Sequence, residues 1–380
     1  MPKNCDKKLT PLLKYPGGKG SELPIINENM PNRINKFVEP FVGGGAVFFA
    51  TNNASSYYIN DISIDLMLLY EYVKTSNEDF FNELETIDSN WDQLSCIVEM
   101  SSEFFIDTLN KYKNHEITNE YLNLIITAKV QPLNILELPL FRLDKSQPPL
   151  FKIQLIKNMV SMIKRIKKNE IKKGVELSEV EIKDNFECAV KSAYYMYFRD
   201  LYNHPVKHNL SDPRRVAMYL FIREYCYSSM FRFNRNGEFN VPYGGISYNK
   251  KKLKGKIEYY KTQNLIDKLN NTELFTSDFY GFVKSLNLDD EDFMFLDPPY
   301  DTNFSEYDKN EFNKHDQERL ADYLIHECHC KFMLVIKKTD FINQLYRNNG
   351  LSIKEFNKNY SVSFQNRNDK DATHLLIKNY

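Results

Sequence analysis

At 380 residues the chain can bury a sizeable core in two or three domain-sized units, and 42% hydrophobic with 27% charged residues is an ordinary globular composition. A net charge of -1 excludes a global positive field, so a nucleic-acid partner has to rest on local basic patches. Six cysteines without paired spacing suit a reducing cytoplasm better than a disulfide framework, residues 1–8 lack the apolar core of a signal peptide, and no apolar run approaches a membrane span.

In chain order, Lys36-Phe37-Val38-Glu39 predicts a short strand, followed by Pro40-Phe41-Val42-Gly43-Gly44-Gly45 and the apolar residues 46–50. A strand, a glycine turn and a helix start make a nucleotide-binding corner. Residues 57–60 predict a second strand ending in Asp61, and residues 66–70 a helix. From about residue 76 to about 230, apolar residues recur at helical spacing, as at Phe80, Phe81, Leu84 and Ile87. Pro148-Pro149 reads as a loop within this region. The basic residues of 161–173 read as a solvated helix face or a DNA contact. After about residue 270 the α/β texture returns, with strands at 293–296, 332–336 and 373–377 and a helix at 314–327. The simplest organisation is one α/β domain, residues 1–75 and 270–380, split by a mostly helical insertion, residues 76–269.

Four segments carry chemistry. Asp297-Pro298-Pro299-Tyr300 follows an apolar strand, at the carboxyl end where open α/β sheets place ligands. Its prolines fix the backbone and remove two N–H donors, so a carboxylate and a fixed carbonyl form an acceptor pair for an exocyclic amino group, beside a tyrosine face for a base. A Pro-Pro turn with a solvated aspartate is the other reading. The glycines at 43–45 allow close backbone approach to a ligand, although Phe48 stands where the third glycine of a dinucleotide fingerprint would be. Asp61 can hold two ribose hydroxyls or serve as a helix N-cap. Lys14-Tyr15-Pro16-Gly17-Gly18-Lys19 lacks P-loop spacing and reads as a lysine reaching a small carboxylate, or as a solvated loop. The stretch 232–245, followed by Lys250, Lys251 and Lys252, mixes arginine, asparagine and aromatics, the side chains suited to phosphates and base edges, but an ordinary charged hairpin has the same composition. His326-Glu327-Cys328-His329-Cys330 is too tight for one tetrahedral zinc and has no second cluster to complete it, so no metal is expected.

Taken together, these segments resemble the Dam-type (D12 class) adenine-N6 DNA methyltransferases. The carriers are Lys14-Tyr15-Pro16-Gly17-Gly18-Lys19, the glycine corner from Val38 to Phe48, Ile59-Asn60-Asp61, the run from Arg235 to Gly244, Ser277-Asp278-Phe279 and Asp297-Pro298-Pro299-Tyr300, in the family's order. The resemblance covers both ends and roughly residues 226–250, and does not visibly extend over 76–215.

It implies a Rossmann-like class I methyltransferase sheet, mostly parallel with an antiparallel edge hairpin, and S-adenosylmethionine as cofactor. Tyr15, standing where the family has tryptophan, and Lys19 would contact its methionine part. Glu39, Pro40, Phe41 and Gly43 would line the pocket, Asp61 would hold the ribose, and Asp278 and Phe279 would flank the adenine, with Asp297 alongside. An adenine swung out of duplex DNA would stack on Tyr300. Asp297 and the Pro298 carbonyl would accept its N6 hydrogens, with Pro299 completing the rigid turn, for direct in-line transfer without a metal. Expected DNA contacts are Arg232, Asn234, Arg235 and Asn236, and after them Asn240, Tyr243 and Lys250. Rival readings are a methyltransferase acting on RNA or a protein amide nitrogen, and an inactive DNA-binding protein of the same fold. The target site, a cognate restriction endonuclease and the oligomeric state are not legible.

Overall fold

The computed structural model describes residues 8–15, 17–132, 148–300, 312–359 and 371–380. The chain opens with α1 (Leu23–Asn29), β1 (Ile34–Glu39), α2 (Ala46–Ala50), β2 (Ala54–Asn60) and α3 (Ile64–Lys74). Five helices follow: α4 (Glu78–Lys113), α5 (Asn119–Val130), α6 (Pro148–Lys173), α7 (Glu179–Asn203) and α8 (Asp212–Tyr225). The remainder runs α9 (Lys254–Tyr260), α10 (Gln263–Asn270), β3 (Thr272–Phe275), α11 (Phe279–Ser285), β4 (Phe293–Leu296) and α12 (Lys314–Asp322), then β5 (Lys331–Lys337), α13 (Asp340–Tyr346), β6 (Ser352–Asn359) and β7 (Asp371–Lys378).

Two compact units are formed, one from residues 1–76, 231–238 and 260–380 and the other from residues 77–230 and 239–259. Residues 231–238 and 260–269, expected within the insertion, therefore belong with the sheet; α10 lies beside α3 and β3 there.

The first unit holds a seven-stranded sheet in the order β3-β2-β1-β4-β5-β7-β6. Strands β1 to β5 are parallel, and β7 runs antiparallel to both β5 and β6. This is the mostly parallel sheet with an antiparallel edge hairpin of the Rossmann-like methyltransferase class. The central strands are near-continuous apolar runs because helices cover both faces: all four residues of β4 are buried, as are Phe332 to Ile336 in β5. Val38, Met294, Leu296, Leu334 and Ile336 share one core. In register, Val38 lies opposite Met294 on one side and Tyr58 on the other.

Two strands escape the sequence pattern. β3 has only four residues, and β6 carries Lys354 and Glu355, the charge pattern that protects an edge strand. The expected helix at 314–327 is α12 followed by a wider π-type turn, Tyr323–Glu327.

The second unit is helical. Along α4, Leu84, Ile87, Trp91, Leu94 and Val98 form one buried stripe at helical spacing. Trp91 donates to the Asn249 carbonyl (3.2 Å) and packs against Tyr225 (4.6 Å) and Phe221 (5.6 Å). Pro148-Pro149 is not a loop but the first turn of α6, where a missing N–H costs nothing. In the basic stretch of α6, Lys167 donates to the Tyr112 carbonyl (2.8 Å) and Glu170 pairs with Lys113 (2.8 Å). Among the described residues, no helix is long and apolar enough to cross a membrane.

Candidate active site

The strand order reverses direction between β1 and β4, and ligands of open α/β sheets bind at the carboxyl ends beside such a switch. Glu39 ends β1 and Asp297 directly follows β4. The two carboxylates are neighbours: burial first, and then the charge of Asp297, push the Glu39 carboxyl well above its usual range. The backbone N–H of Phe48 and the Lys19 and Lys268 ammonium groups oppose the shift, while Glu39 Oε2 is buried without a hydrogen-bond partner among the described residues.

The loop after β1 is tightly held. At Gly44 a Cβ would lie 2.6 Å from the Leu13 carbonyl, and Gly45, with φ +80°, would bring one to 2.5 Å from the Tyr70 hydroxyl. Tyr70 donates to the Gly43 carbonyl (3.1 Å), and the Gly43 N–H donates to Asp61 (3.1 Å). Asp61 also accepts from the Ser63 N–H (2.9 Å); Ser63, not Asp61, is the N-cap of α3. Tyr15 lies against Gly43 and packs on Phe231 (5.7 Å). Pro16, and residues 1–7 of the N-terminal stretch read for a signal peptide, lie outside the described residues.

Lys19 is 2% exposed. Its ammonium pairs with Asp297, donates to the Tyr300 hydroxyl (2.9 Å) and donates to the Gly17 carbonyl (3.2 Å). Three acceptors thus meet its three N–H groups. Fully buried Gln317 of α12 donates to the Pro299 carbonyl (2.8 Å), and the buried His374 ring meets Tyr300 edge-on at 5.5 Å. Pro298 is buried and Pro299 exposed.

Beside the ends of β1 and β3, Phe41, Phe279 and Phe312 form an aromatic triangle with centroids 5.4 to 5.6 Å apart. Asp278 caps α11 through the Tyr280 N–H and pairs with Arg319 (2.9 Å). Asn60 joins three strand ends: it donates to the Pro40 and Ser277 carbonyls (both 3.0 Å) and accepts from the Ser277 N–H (3.0 Å). Asn60, Gln317 and His374 are site residues that motif reading passed over, although Asn60 stands inside Ile59-Asn60-Asp61.

The proposed DNA contacts fall into different environments. Arg235, Asn236 and Lys250 are exposed, while Arg232 and Asn240 are half-buried. Asn234 is occupied within its own loop, accepting from the Asn236 and Glu238 N–H groups (2.9 and 3.0 Å) and donating to the Glu238 carboxylate (2.7 Å). Tyr243 is a correction: it is buried in the helical unit, packs on Trp91 (5.7 Å) and donates to Asn249 (3.1 Å), so its ring serves the core rather than a base.

Comparison with known proteins follows the same lines. The model of the D12 class N6 adenine-specific DNA methyltransferases matches residues 15–135 and 155–362, which takes in most of residues 76–215, where no motif signals it. The type II methyltransferase M.MjaIII of Methanocaldococcus jannaschii is 27% identical, over 98% of this chain and 100% of its own. A type II methyltransferase of Paramecium bursaria Chlorella virus NC1A is 24% identical, over 98% and 100%. The DNA adenine methylase of Escherichia coli K12 is 23% identical, over 98% and 96%.

Proposed function

Because the chain belongs to the D12 class N6 adenine-specific DNA methyltransferase family, we propose that it takes its methyl group from S-adenosylmethionine and delivers it to an adenine extruded from duplex DNA. The observation that carries this reading is the strand-end cluster of Asp297, Tyr300, Lys19 and Glu39 at the switch between β1 and β4. The residues fit such a donor. The unsatisfied Glu39 oxygen suits a ligand with amino or hydroxyl hydrogens or positive charge. Asp61, which accepts from the Gly43 and Ser63 N–H groups just after β2, would take the ribose hydroxyls. Half-buried Phe41, backed by the buried ring of Phe279, would offer an apolar face to a purine, with Asp278 at the start of α11. Tyr15, Pro40 and Gly43 would line the methionine end, and Lys19 would reach its carboxylate by giving up one of its three acceptors.

When bound, the donor supplies a methyl group on a positively charged sulfur, open to direct displacement. The protein's part is positioning and electrostatics. Tyr300 would carry the extruded base. Asp297 and the Pro298 carbonyl would accept the two N6 hydrogens and aim the nitrogen lone pair. Lys19 holds Asp297 and Tyr300 together, and Gln317 fixes the turn through the Pro299 carbonyl. Asp297 would take up the proton only as the new bond forms, because the amine becomes acidic at that moment.

Arg232, Arg235, Asn236, Asn240 and Lys250 would contact DNA. Five free cysteines among the described residues suit work in a reducing cytoplasm. The type II names of two relatives favour a modification enzyme whose partner endonuclease reads the same site.

The test is Asp297→Ala. Methyl transfer to unmethylated DNA should fall by at least about a hundredfold, while donor and DNA affinities stay within about tenfold. Full activity of the purified variant would refute the assignment.

A further inference from the structure

At the carboxyl end of α7 three metal-ligating side chains converge: Asp200, His204 and His208. A spacing of four puts Asp200 and His204 on one helix face. The turn that follows, closed by His208 N–H to the His204 carbonyl (3.2 Å) and Leu210 N–H to the Pro205 carbonyl (3.0 Å), folds His208 back onto that face. One ligand atom from each residue lies within 4.8 Å of the others. His204 Nδ1 is 3.6 Å from Asp200 Oδ1 and 2.9 Å from the Asp200 backbone carbonyl, a contact that a bound metal would replace, and His208 Nε2 is 3.5 Å from Asp200 Oδ2. Those separations exceed the usual N–H···O range. They approach the roughly 3.3 Å between neighbouring ligands of a tetrahedral zinc with bonds of about 2.0 Å. Asp200 Oδ2 is shut off from solvent and accepts no hydrogen bond among the described residues. The His208 side chain is 1% exposed, whereas Asp200 and His204 keep 36% and 37%. The carboxyl pole of a long helix further favours a cation.

We propose that Asp200, His204 and His208 form a structural site for a divalent transition metal of the zinc class. Two imidazoles and one carboxylate select such an ion over magnesium or calcium, which prefer oxygen ligands throughout. The site has a mechanical meaning within the helical unit. On the adjoining face of the same helix, again four residues apart, Tyr195, Arg199 and Asn203 hold the segment 239–241. Tyr195 and Arg199 both donate to the Val241 carbonyl (2.9 Å each). Asn203 donates to the Phe239 carbonyl (3.0 Å) and accepts from its N–H (2.8 Å). A metal at the helix end stiffens the last turns that carry this clamp. Nothing in the site depends on the methyl-transfer reading.

The experiment titrates full-length protein, stripped by a chelator, with Zn2+ alone and with Mg2+ alone, by calorimetry and thermal melting. The expected result is one saturable Zn2+ per chain, a melting temperature raised by Zn2+ and no comparable Mg2+ response. Asp200→Asn and His204→Gln, both partly exposed, should melt like the parent in chelator. Each should weaken Zn2+ binding by about tenfold or more and lose the thermal gain. His208→Gln serves as a third variant if either of these fails to fold. The proposal is overturned if no saturable Zn2+ binding occurs, if Mg2+ binds as well, or if folded variants bind Zn2+ like the parent, since the ion would then sit on other cysteines or histidines.

Discussion

Burial moves the charges of Glu39 and Lys268 in opposite directions within the sheet unit. Desolvation pulls the Lys268 ammonium down from the usual 10.5 to about 7, with Glu39 opposing the shift, while its Nζ donates to the Thr51 carbonyl (2.6 Å). A lysine lowered on folding gives its stabilising contribution in full above pH 10.5 and loses it as the pH falls toward 7. The raised Glu39 has the reverse sign, its contribution being lost as the pH climbs through the folded value. Between pH 7 and pH 9, parent stability should therefore rise relative to Lys268→Met by on the order of 1–2 kcal/mol, read from denaturant unfolding at both pH values. An unchanged difference would show a lysine with ordinary solvation. At this scale the acids were legible because each stands at a strand end in the sequence. Asn60, Gln317 and His374 were not, since each acts on groups far along the chain that only the folded sheet brings near. Tyr243 misled because an aromatic in a basic segment looks the same whether it faces a base or a core.

Between β1 and α2 the backbone turns through a left-handed Gly45 that caps the helix. Gly45→Ala adds a methyl at positive φ against the Tyr70 hydroxyl and the Phe49 ring. We expect a loss of about 1–3 kcal/mol in unfolding free energy together with weaker donor binding. Calorimetry should show both, and a variant as stable and as tight as the parent would remove the need for glycine there. The central strands and the glycine corner could be read directly, since four or five consecutive buried apolar residues leave little ambiguity. β3, no shorter than β4, does not stand out because it opens on Thr272 and Glu273 and only Thr272 is buried, and β6 is polar because it lies at an edge. The prolines opening α6 show that the same residue that ends one helix can begin another.

For the molecule as a whole, the proposed chemistry needs both donor and DNA, and these demands can be separated by mutation. Arg235 and Asn236 are exposed in a loop closed by Asn234 and Glu238. Replacing either by alanine should weaken DNA binding by about fivefold to a hundredfold, while donor affinity stays within about twofold. Fluorescence anisotropy with DNA and calorimetry with the donor give the two numbers, and parallel losses would count against a DNA role for this loop. The fold class was legible because strand-like texture occurs at both ends of the sequence. The return of residues 231–238 to the sheet unit was not, because so short a stretch carries no periodicity of its own.

The strand order has a further consequence for how the protein comes into being. β1 lies between β2, its near neighbour in sequence, and β4, which is synthesised more than half a chain later. While the ribosome is still making the helical stretch, β1 presents an unmatched edge and Glu39 has no Asp297 beside it. Pairings over such sequence distances form slowly. A nascent chain released before β4 therefore has no crevice for a ligand, whereas the locally connected helices α4 to α8 need no residue beyond their own unit to begin packing.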